Sequence, residues 1–159
     1  MHGLMSNLIH PCITSLEMID MRVFVYFNLH KKCFSIKALE GSKKGLVVAH
    51  RDTVILTDCK FKVSEAGRQR VLREKKKNVH AGVTGIWIDG DIRDEKCFEF
   101  LGTVGRQVTY NPYKYSSFII RATEESVDKA NVVGMKVLPN AEGIKRGVIY
   151  LRNFNFYKV

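Results

Sequence analysis

The segment at residues 21–29, MRVFVYFNL, restricts the fold more than any other stretch of this 159-residue chain. It consists mainly of aromatic and β-branched residues, the types that favour extended strands. Val23 and Val25 alternate with Phe24 and Tyr26, and alternate residues of a strand point to opposite faces. Both faces are therefore apolar, which is typical of a strand inside a sheet. We predict a sheet protein in which this segment is a central strand.

Further strand-like segments follow, separated by short turns. Residues 28–32 form a predicted turn, and GSKKG at residues 41–45 has a glycine at each end, as hairpin loops often do. Additional strands are predicted at residues 33–39, 46–50, 53–58, 108–110, 117–122, 132–137 and 147–154. Short connections favour antiparallel neighbours. The predicted fold class is α+β and mostly β, with small antiparallel meanders covered by one basic helix.

Composition divides the chain into four parts. Residues 1–20 contain three methionines and differ from the rest, so we interpret them as a weakly ordered extension. Residues 21–80 hold the first meander and the basic helix. Residues 81–105, rich in glycine and acidic residues, are predicted to be a connector with one strand at residues 86–88. Residues 106–159 are predicted to be a second β-rich part that forms one compact unit with the first.

The two β-rich parts contain similar segments. FNLHKKCFSIKA at residues 27–38 aligns with YNPYKYSSFIIRA at residues 110–122 when one residue is inserted, which matches Asn28 with Asn111. Each copy would be a strand, an Asn-x-x-Lys turn and a returning strand. Two such copies would give a pseudo-repeat or a small barrel, and two unrelated hairpins are the alternative.

Basic residues are concentrated in one part of the chain. The whole chain has 26 lysines and arginines against 16 acidic residues, a net charge of +10. Residues 60–77 carry eight of the basic residues and only two glutamates, so a net charge of +6 lies on this stretch. Positive charge concentrated on one element is the electrostatic feature expected of a phosphate-binding surface.

This basic stretch is predicted to be helical over residues 64–77. Ser64 can cap the first turn through its hydroxyl, and Glu65 lies where the helix dipole favours a carboxylate. Few apolar residues are available, so most of the helix surface is expected to face water. Six cations are predicted to be exposed there and to contact nucleic acid: Arg68, Arg70, Arg73, Lys75, Lys76 and Lys77. The alternatives are a solvated helix without a partner and a docking site for an acidic protein.

Aromatic residues alternate with polar and basic ones in the second β-rich part. Pro112 cannot continue a strand, so we predict that Tyr113 and Tyr115 are exposed on either side of Lys114. Exposed tyrosines can stack on unpaired bases while the lysine contacts the phosphates, whereas buried tyrosines would simply be core. Residues 152–158 show the same mixture of residue types.

Catalytic motifs are absent from the sequence. There is no Gly-x-x-x-x-Gly-Lys phosphate loop, no Gly-x-Ser-x-Gly elbow and no His-Glu-x-x-His helix. His50, Arg51 and His80 would make a metal-free nuclease site only if the fold brought them together. The acidic residues at 89–95 are either a hard-cation site or an ordinary acidic turn, and we favour the turn. We predict no catalytic residues, no cofactor and no metal site.

Cysteine spacing and hydropathy indicate the cellular compartment in which the protein is expected to act. The four cysteines are scattered without close pairing, and no secretory signal precedes them, so we predict a reducing cytoplasm. No apolar run is long enough to cross a bilayer, so no membrane partner is expected.

Three segments resemble small proteins encoded by tailed bacteriophages: VFVYFNLHKKCFSIKALEG, FKVSEAGRQRVLREKKKNVHAGVTG and VTYNPYKYSSFIIRA. The phage proteins carry similar Asn-Leu-His-Lys, Glu-Ala-Gly-Arg-Gln-Arg and Tyr-Asn-Pro-Tyr-Lys stretches. The resemblance covers residues 21–122, and the family has no established activity. It implies the cytoplasm of an infected bacterium as the setting, and it implies no mechanism.

The predicted function is a nucleic-acid-binding accessory protein that acts in phage-infected cells through its basic helix. The partner is DNA or RNA in this interpretation. The alternative is a phage modulator or inhibitor that binds an acidic host enzyme or defence protein, and a structural role in the virion comes third. The sequence leaves the oligomeric state open.

Overall fold

The computed structural model describes residues 21–88 and 91–153, without the side chains of residues 91–95. The predictions for residues 1–20 and for the aromatic residues after 153 therefore lie outside the described residues. The described residues form nine strands: β1 (Met21–Asn28), β2 (Cys33–Ala38), β3 (Val47–Arg51), β4 (Thr53–Val63), β5 (Ala81–Ile88), β6 (Arg106–Thr109), β7 (Ile119–Ile120), β8 (Lys129–Pro139) and β9 (Lys145–Arg152). They also form two helices, α1 (Glu65–Glu74) and α2 (Asp91–Val104).

All nine strands belong to one antiparallel sheet in the order β3-β2-β1-β5-β4-β8-β9-β6-β7. The predicted class, α+β and mostly β, is confirmed. β1 lies inside the sheet between β2 and β5, as its two apolar faces predict, although β4 holds the middle position. β4 pairs with β8, so both predicted β-rich parts contribute to the same sheet. Among the described strands β3 and β7 form open edges, so the sheet does not close into a barrel.

The sheet is strongly curved, so that β2 approaches β8 and β9 across its concave face. The approach is closest at Gly147 on β9, where an added Cβ would lie 2.6 Å from Cζ of Phe34 and 2.9 Å from Cδ1 of Phe27. Only a glycine admits the two rings at that distance. The concave face encloses the main core, and its fully buried side chains include Val25 and Met135.

The opposite, convex face is covered by α2 and not by the basic helix. Cys97 and Leu101 of α2 pack with Ile55 of β4 and Ile88 of β5 in a second buried cluster. The basic helix α1 buries only Val71 and lies at one end of the sheet. We predicted that one basic helix covers the sheet. The helix that covers it is instead α2, which is not the basic one.

The segment predicted as a connector at residues 81–105 contains more regular structure than expected: the predicted strand at 86–88 is part of the longer interior strand β5, and the helix α2 follows it. Its glycines suggested a loop, but two of them are required by close packing within the sheet. An added Cβ at Gly82 would lie 2.6 Å from Cζ of Phe24, and one at Gly85 would lie 2.9 Å from the carbonyl oxygen of Thr57. Glycine inside a strand commonly marks such a close approach.

β4 is longer than predicted because a bulge interrupts its register without ending it. The pairing with β5 shifts between Thr57 and Lys60, and Asp58 adopts a left-handed φ of 52°. The carboxylate of Asp58 accepts a hydrogen bond from Nη2 of Arg22 at 2.8 Å. A bulge bends its strand and increases the local twist, which contributes to the curvature of the sheet.

Two of the cysteines are free thiols. Burial raises the pKa of the Cys59 thiol strongly, and it also raises the pKa of Cys33. Cys97 is disulfide-bonded, which the prediction of unpaired cysteines did not anticipate, and the reducing compartment remains a prediction. None of the described helices combines the length and the apolar character needed to span a membrane.

Candidate functional site

The basic helix begins as predicted and ends earlier. The hydroxyl of Ser64 accepts a hydrogen bond from the Gly67 amide at 3.2 Å, which makes Ser64 the N-cap. The helix ends at Glu74, because Lys75 turns into the left-handed conformation with a φ of 56° and donates its amide to the Val71 carbonyl at 2.8 Å. The last two lysines of the run therefore lie beyond the helix and not on it.

Five of the six predicted cations are exposed. We call them the basic patch: Arg70, Arg73, Lys75, Lys76 and Lys77. A single carboxylate, that of Glu74, lies within this run, and it is 3.6 Å from the Arg73 guanidinium. The patch therefore presents a dense and largely uncompensated positive charge to solvent.

The sixth cation, Arg68, is not available to a ligand in the way that the sequence suggested. Its side chain is only 15% exposed. Nε donates to the carbonyl oxygen of Pro112 at 2.9 Å, and Nη1 donates to the Glu65 carboxylate at 2.8 Å. Arg68 therefore braces α1 against the turn that follows β6, and the prediction that it is exposed is wrong.

His80 makes a second link between the same two regions. Its Nε2 is hydrogen-bonded to the Tyr110 hydroxyl at 2.8 Å, and its Nδ1 lies 3.1 Å from the carbonyl oxygen of Asn78. The Tyr110 ring stacks on Phe118 with 5.1 Å between ring centroids, and partial burial raises the pKa of its hydroxyl. These contacts hold the start of β5, the segment after α1 and the end of β6 together.

Of the three residues predicted around Pro112, only one presents an unoccupied aromatic surface. Tyr113 is 58% exposed. The hydroxyl of Tyr115 donates to the Glu124 carboxylate at 2.9 Å, and the Lys114 ammonium lies 5.1 Å from the centre of its ring. Hydrogen bonding to Tyr115 raises the pKa of Lys114. Lys114 and Tyr115 therefore interact with each other, while Tyr113 faces solvent.

A cavity of about 830 Å³ opens on the concave face beside α1. Its interior is apolar, with walls that include Val25, Val83 and Ile149 of β1, β5 and β9. Its rim comes from three segments that are far apart in sequence: the turns at residues 28–30 and 110–113, and residues 77–80. The curved sheet brings these three together at one end.

The rim of this cavity combines exposed apolar side chains with positive charge. Seven large hydrophobic residues are exposed in the described part of the chain, and three of them, Leu29, Val79 and Tyr113, line the cavity. Lys77 of the basic patch lines it as well, and none of the aspartates and glutamates whose side chains the structure describes does. Clustered exposed apolar side chains commonly mark a binding site, and the charge favours an anionic ligand.

Two similar turns contribute to the rim, and they are the two segments that the sequence alignment paired. Oδ1 of Asn28 accepts the amide of His30 at 2.9 Å, and Oδ1 of Asn111 accepts the amide of Tyr113 at 2.9 Å. In both turns the carbonyl oxygen of the asparagine also accepts the amide four residues later, at 2.7 and 2.9 Å. The two segments therefore form the same asparagine-anchored turn between two antiparallel strands.

The structure does not bring the proposed nuclease residues together. His50 lies on the edge strand β3, where its Nδ1 is 3.0 Å from the Ser35 hydroxyl. His80 precedes β5, and two strands lie between β3 and β5. The described residues contain no group of three potential metal ligands. The acidic side chains predicted at 89–95 are outside the described side chains.

Sequence reasoning missed the cavity because each rim segment is unremarkable by itself. Leu29 and Val79 are isolated apolar residues in polar segments. Their isolation is the feature of the sequence that could have indicated a binding site. Their proximity depends on a fold that places residues 28–30 beside residues 77–80.

Comparison with known proteins identifies a family. Residues 18–138 match the family model described as Mycobacterium phage L5 gene 82 protein. The chain belongs to this family. It is 39% identical over 110 residues to the gene 82 protein of Mycobacterium phage L5, an alignment that covers 65% of this chain and 81% of that protein. No solved structure matches the chain significantly.

Membership of this phage family confirms the resemblance inferred from the sequence. The matched residues include α1, the basic patch and the turn that carries Tyr113. They end before β9, which supplies Gly147 and one wall of the cavity.

Proposed function

We propose that the protein is a nucleic-acid-binding accessory factor that acts in phage-infected cells and contacts phosphates through the basic patch. Its five cations lie within eight consecutive residues and are exposed. Lysine and arginine side chains that are exposed and close together bind successive phosphates and release the counterions condensed on the nucleic acid. Arg70 and Arg73 can each offer a planar fork to one phosphate.

One observation carries this proposal: the basic patch runs directly into the rim of the cavity. Lys77 belongs to both, and the exposed ring of Tyr113 lies on the same rim. A phosphate-binding surface beside an exposed aromatic ring is the combination with which proteins bind single strands. A solvated helix without a partner would not require this arrangement.

The proposal predicts a steep dependence of binding on salt. The test is a fluorescence anisotropy titration of the protein with labelled single-stranded and duplex oligonucleotides over a series of salt concentrations. If all five cations of the patch contact phosphates, the slope of log K against log salt is roughly −3 to −4 for single strands. Absence of binding at low salt, or affinity independent of salt, would contradict the proposal.

A modulator of a host protein is the second candidate, favoured by the exposed apolar side chains of Leu29 and Val79. An acidic partner with an apolar anchor could use the same patch and cavity. The titration separates the two candidates, because this function predicts no binding of nucleic acid at physiological salt.

A further inference from the structure

We propose that the cavity receives one unpaired base of the bound nucleic acid, so that the protein selects single strands over duplexes. This inference rests on the proposed function and specifies the ligand of the same site. It assigns a role to the cavity, which phosphate binding alone does not need.

The size of the cavity fits this ligand. At about 830 Å³ it is within the range of sites that enclose small organic molecules. It therefore has room for a nucleobase with its sugar.

The cavity walls also suit a planar ring. The stacked rings of Tyr110 and Phe118 belong to its lining, and Tyr113 stands at the rim. Aromatic side chains hold unstacked bases of any sequence, because every base has a π-face. The side chain of Asn78, also in the lining, carries both a donor and an acceptor for the edge of a base.

Charge distinguishes a nucleotide from other occupants. Lys77 places a positive charge at the rim, and no carboxylate among the lining residues opposes it. A nucleotide has a flat aromatic base at one end and an anionic phosphate at the other, and the site offers aromatic walls and a cationic rim in the same order. A basic or purely apolar peptide segment would leave Lys77 without a counterpart.

Duplex DNA is not expected to place a base in the cavity as readily as a single strand does. Its bases are stacked and paired, so one of them can enter a cavity only after it is extruded from the helix, at a cost in free energy. The phosphates of a duplex can still reach the basic patch. Single strands and duplexes should therefore share the phosphate contacts and differ in the cavity contact.

The test fills the cavity while leaving the basic patch unchanged. Ala81 lines the cavity from β5 and is partly exposed, so Ala81→Trp places an indole ring in it. The probes are a thymidine single strand of about 12 nucleotides and a duplex of the same length. We expect the wild-type protein to bind the single strand about 10-fold more tightly than the duplex, and A81W to lose this preference while duplex affinity is unchanged.

A second pair of variants keeps the test decisive if A81W fails to fold. Tyr113→Ala removes the exposed ring from the rim, and Ile144→Ala removes a similarly exposed apolar side chain outside the cavity lining. Y113A should lose about 10-fold in single-strand affinity, and I144A should lose none. Equal binding of both probes by the wild-type protein, or full single-strand affinity in Y113A, would overturn the inference and leave phosphate binding intact. Failure of the wild-type protein to bind either probe would overturn the proposed function, and with it this inference.

Discussion

Replacing Lys75, Lys76 and Lys77 together by glutamine is expected to weaken binding to any nucleic acid by about 100-fold at about 0.1 M salt. Each lost phosphate contact removes about one released counterion, so the slope of log K against log salt should become shallower by about 2 to 3. The three lysines are exposed and lie at or beyond the end of α1, so the fold should be retained. Anisotropy titrations measure affinity and slope, and circular dichroism checks the fold.

The matched control removes the same charge from another surface. Lys43, Lys44 and Lys129 are exposed, and none belongs to the basic patch or lines the cavity. Their combined replacement by glutamine should change affinity far less than the triple change in the patch. If the two variants bind equally weakly, net charge governs binding, and the phosphate contacts assigned to the patch are wrong.

Two helix glycines are expected to respond in opposite directions to replacement by alanine. An added Cβ at Gly67 of α1 would lie 2.6 Å from Cβ of His80, which is near the backbone and cannot move away cheaply. Gly67→Ala should lower the free energy of unfolding by about 1 to 3 kcal/mol, since overpacking outweighs the better helix propensity of alanine. Gly102→Ala in α2 should raise it by about 0.5 to 1 kcal/mol, because its nearest neighbour, the ring of Tyr150, is 3.9 Å away.

Urea denaturation of the two variants and the wild-type protein measures both changes on one scale. Gly102→Ala is the control, because it shows what alanine contributes when nothing obstructs the new methyl group. A stabilising G67A would mean that α1 does not pack against the segment before β5 as described. The brace between Arg68 and Pro112 would then also be in doubt.

The parts of the fold that follow from local pattern could be predicted. The two apolar faces of β1 determine its interior position. Ser64 caps α1 by accepting a hydrogen bond from the amide of Gly67, which is only three residues away. Only the end of β5, residues 86–88, could be predicted, because glycines such as Gly82 and Gly85 are typical of loops. The side chains that require these glycines, such as Phe24, come from another strand. Tertiary packing decides such positions, and local propensity does not.

The candidate site also combines features that follow from local sequence with features that depend on tertiary packing. The exposure of Arg70 and Arg73 follows from a helix with few apolar residues. The partial burial of Arg68 depends on Pro112, which is 44 residues away and is brought to α1 only by the completed sheet. The cavity has the same origin, since no local pattern places Leu29 beside Val79.

The two asparagine-anchored turns make the entrance to the cavity preorganised. Oδ1 of Asn28 fixes two backbone amides and its Nδ2 donates to the Ser35 hydroxyl, while Asn111 fixes the amide of Tyr113. Chain segments that are already ordered lose little conformational entropy when a ligand arrives, so more of the contact energy remains as affinity. If a nucleic-acid strand binds at this entrance as proposed, we expect its association to be limited by electrostatically guided diffusion and not by the closing of a loop, so that rapid binding and release are compatible with a rigid receptor.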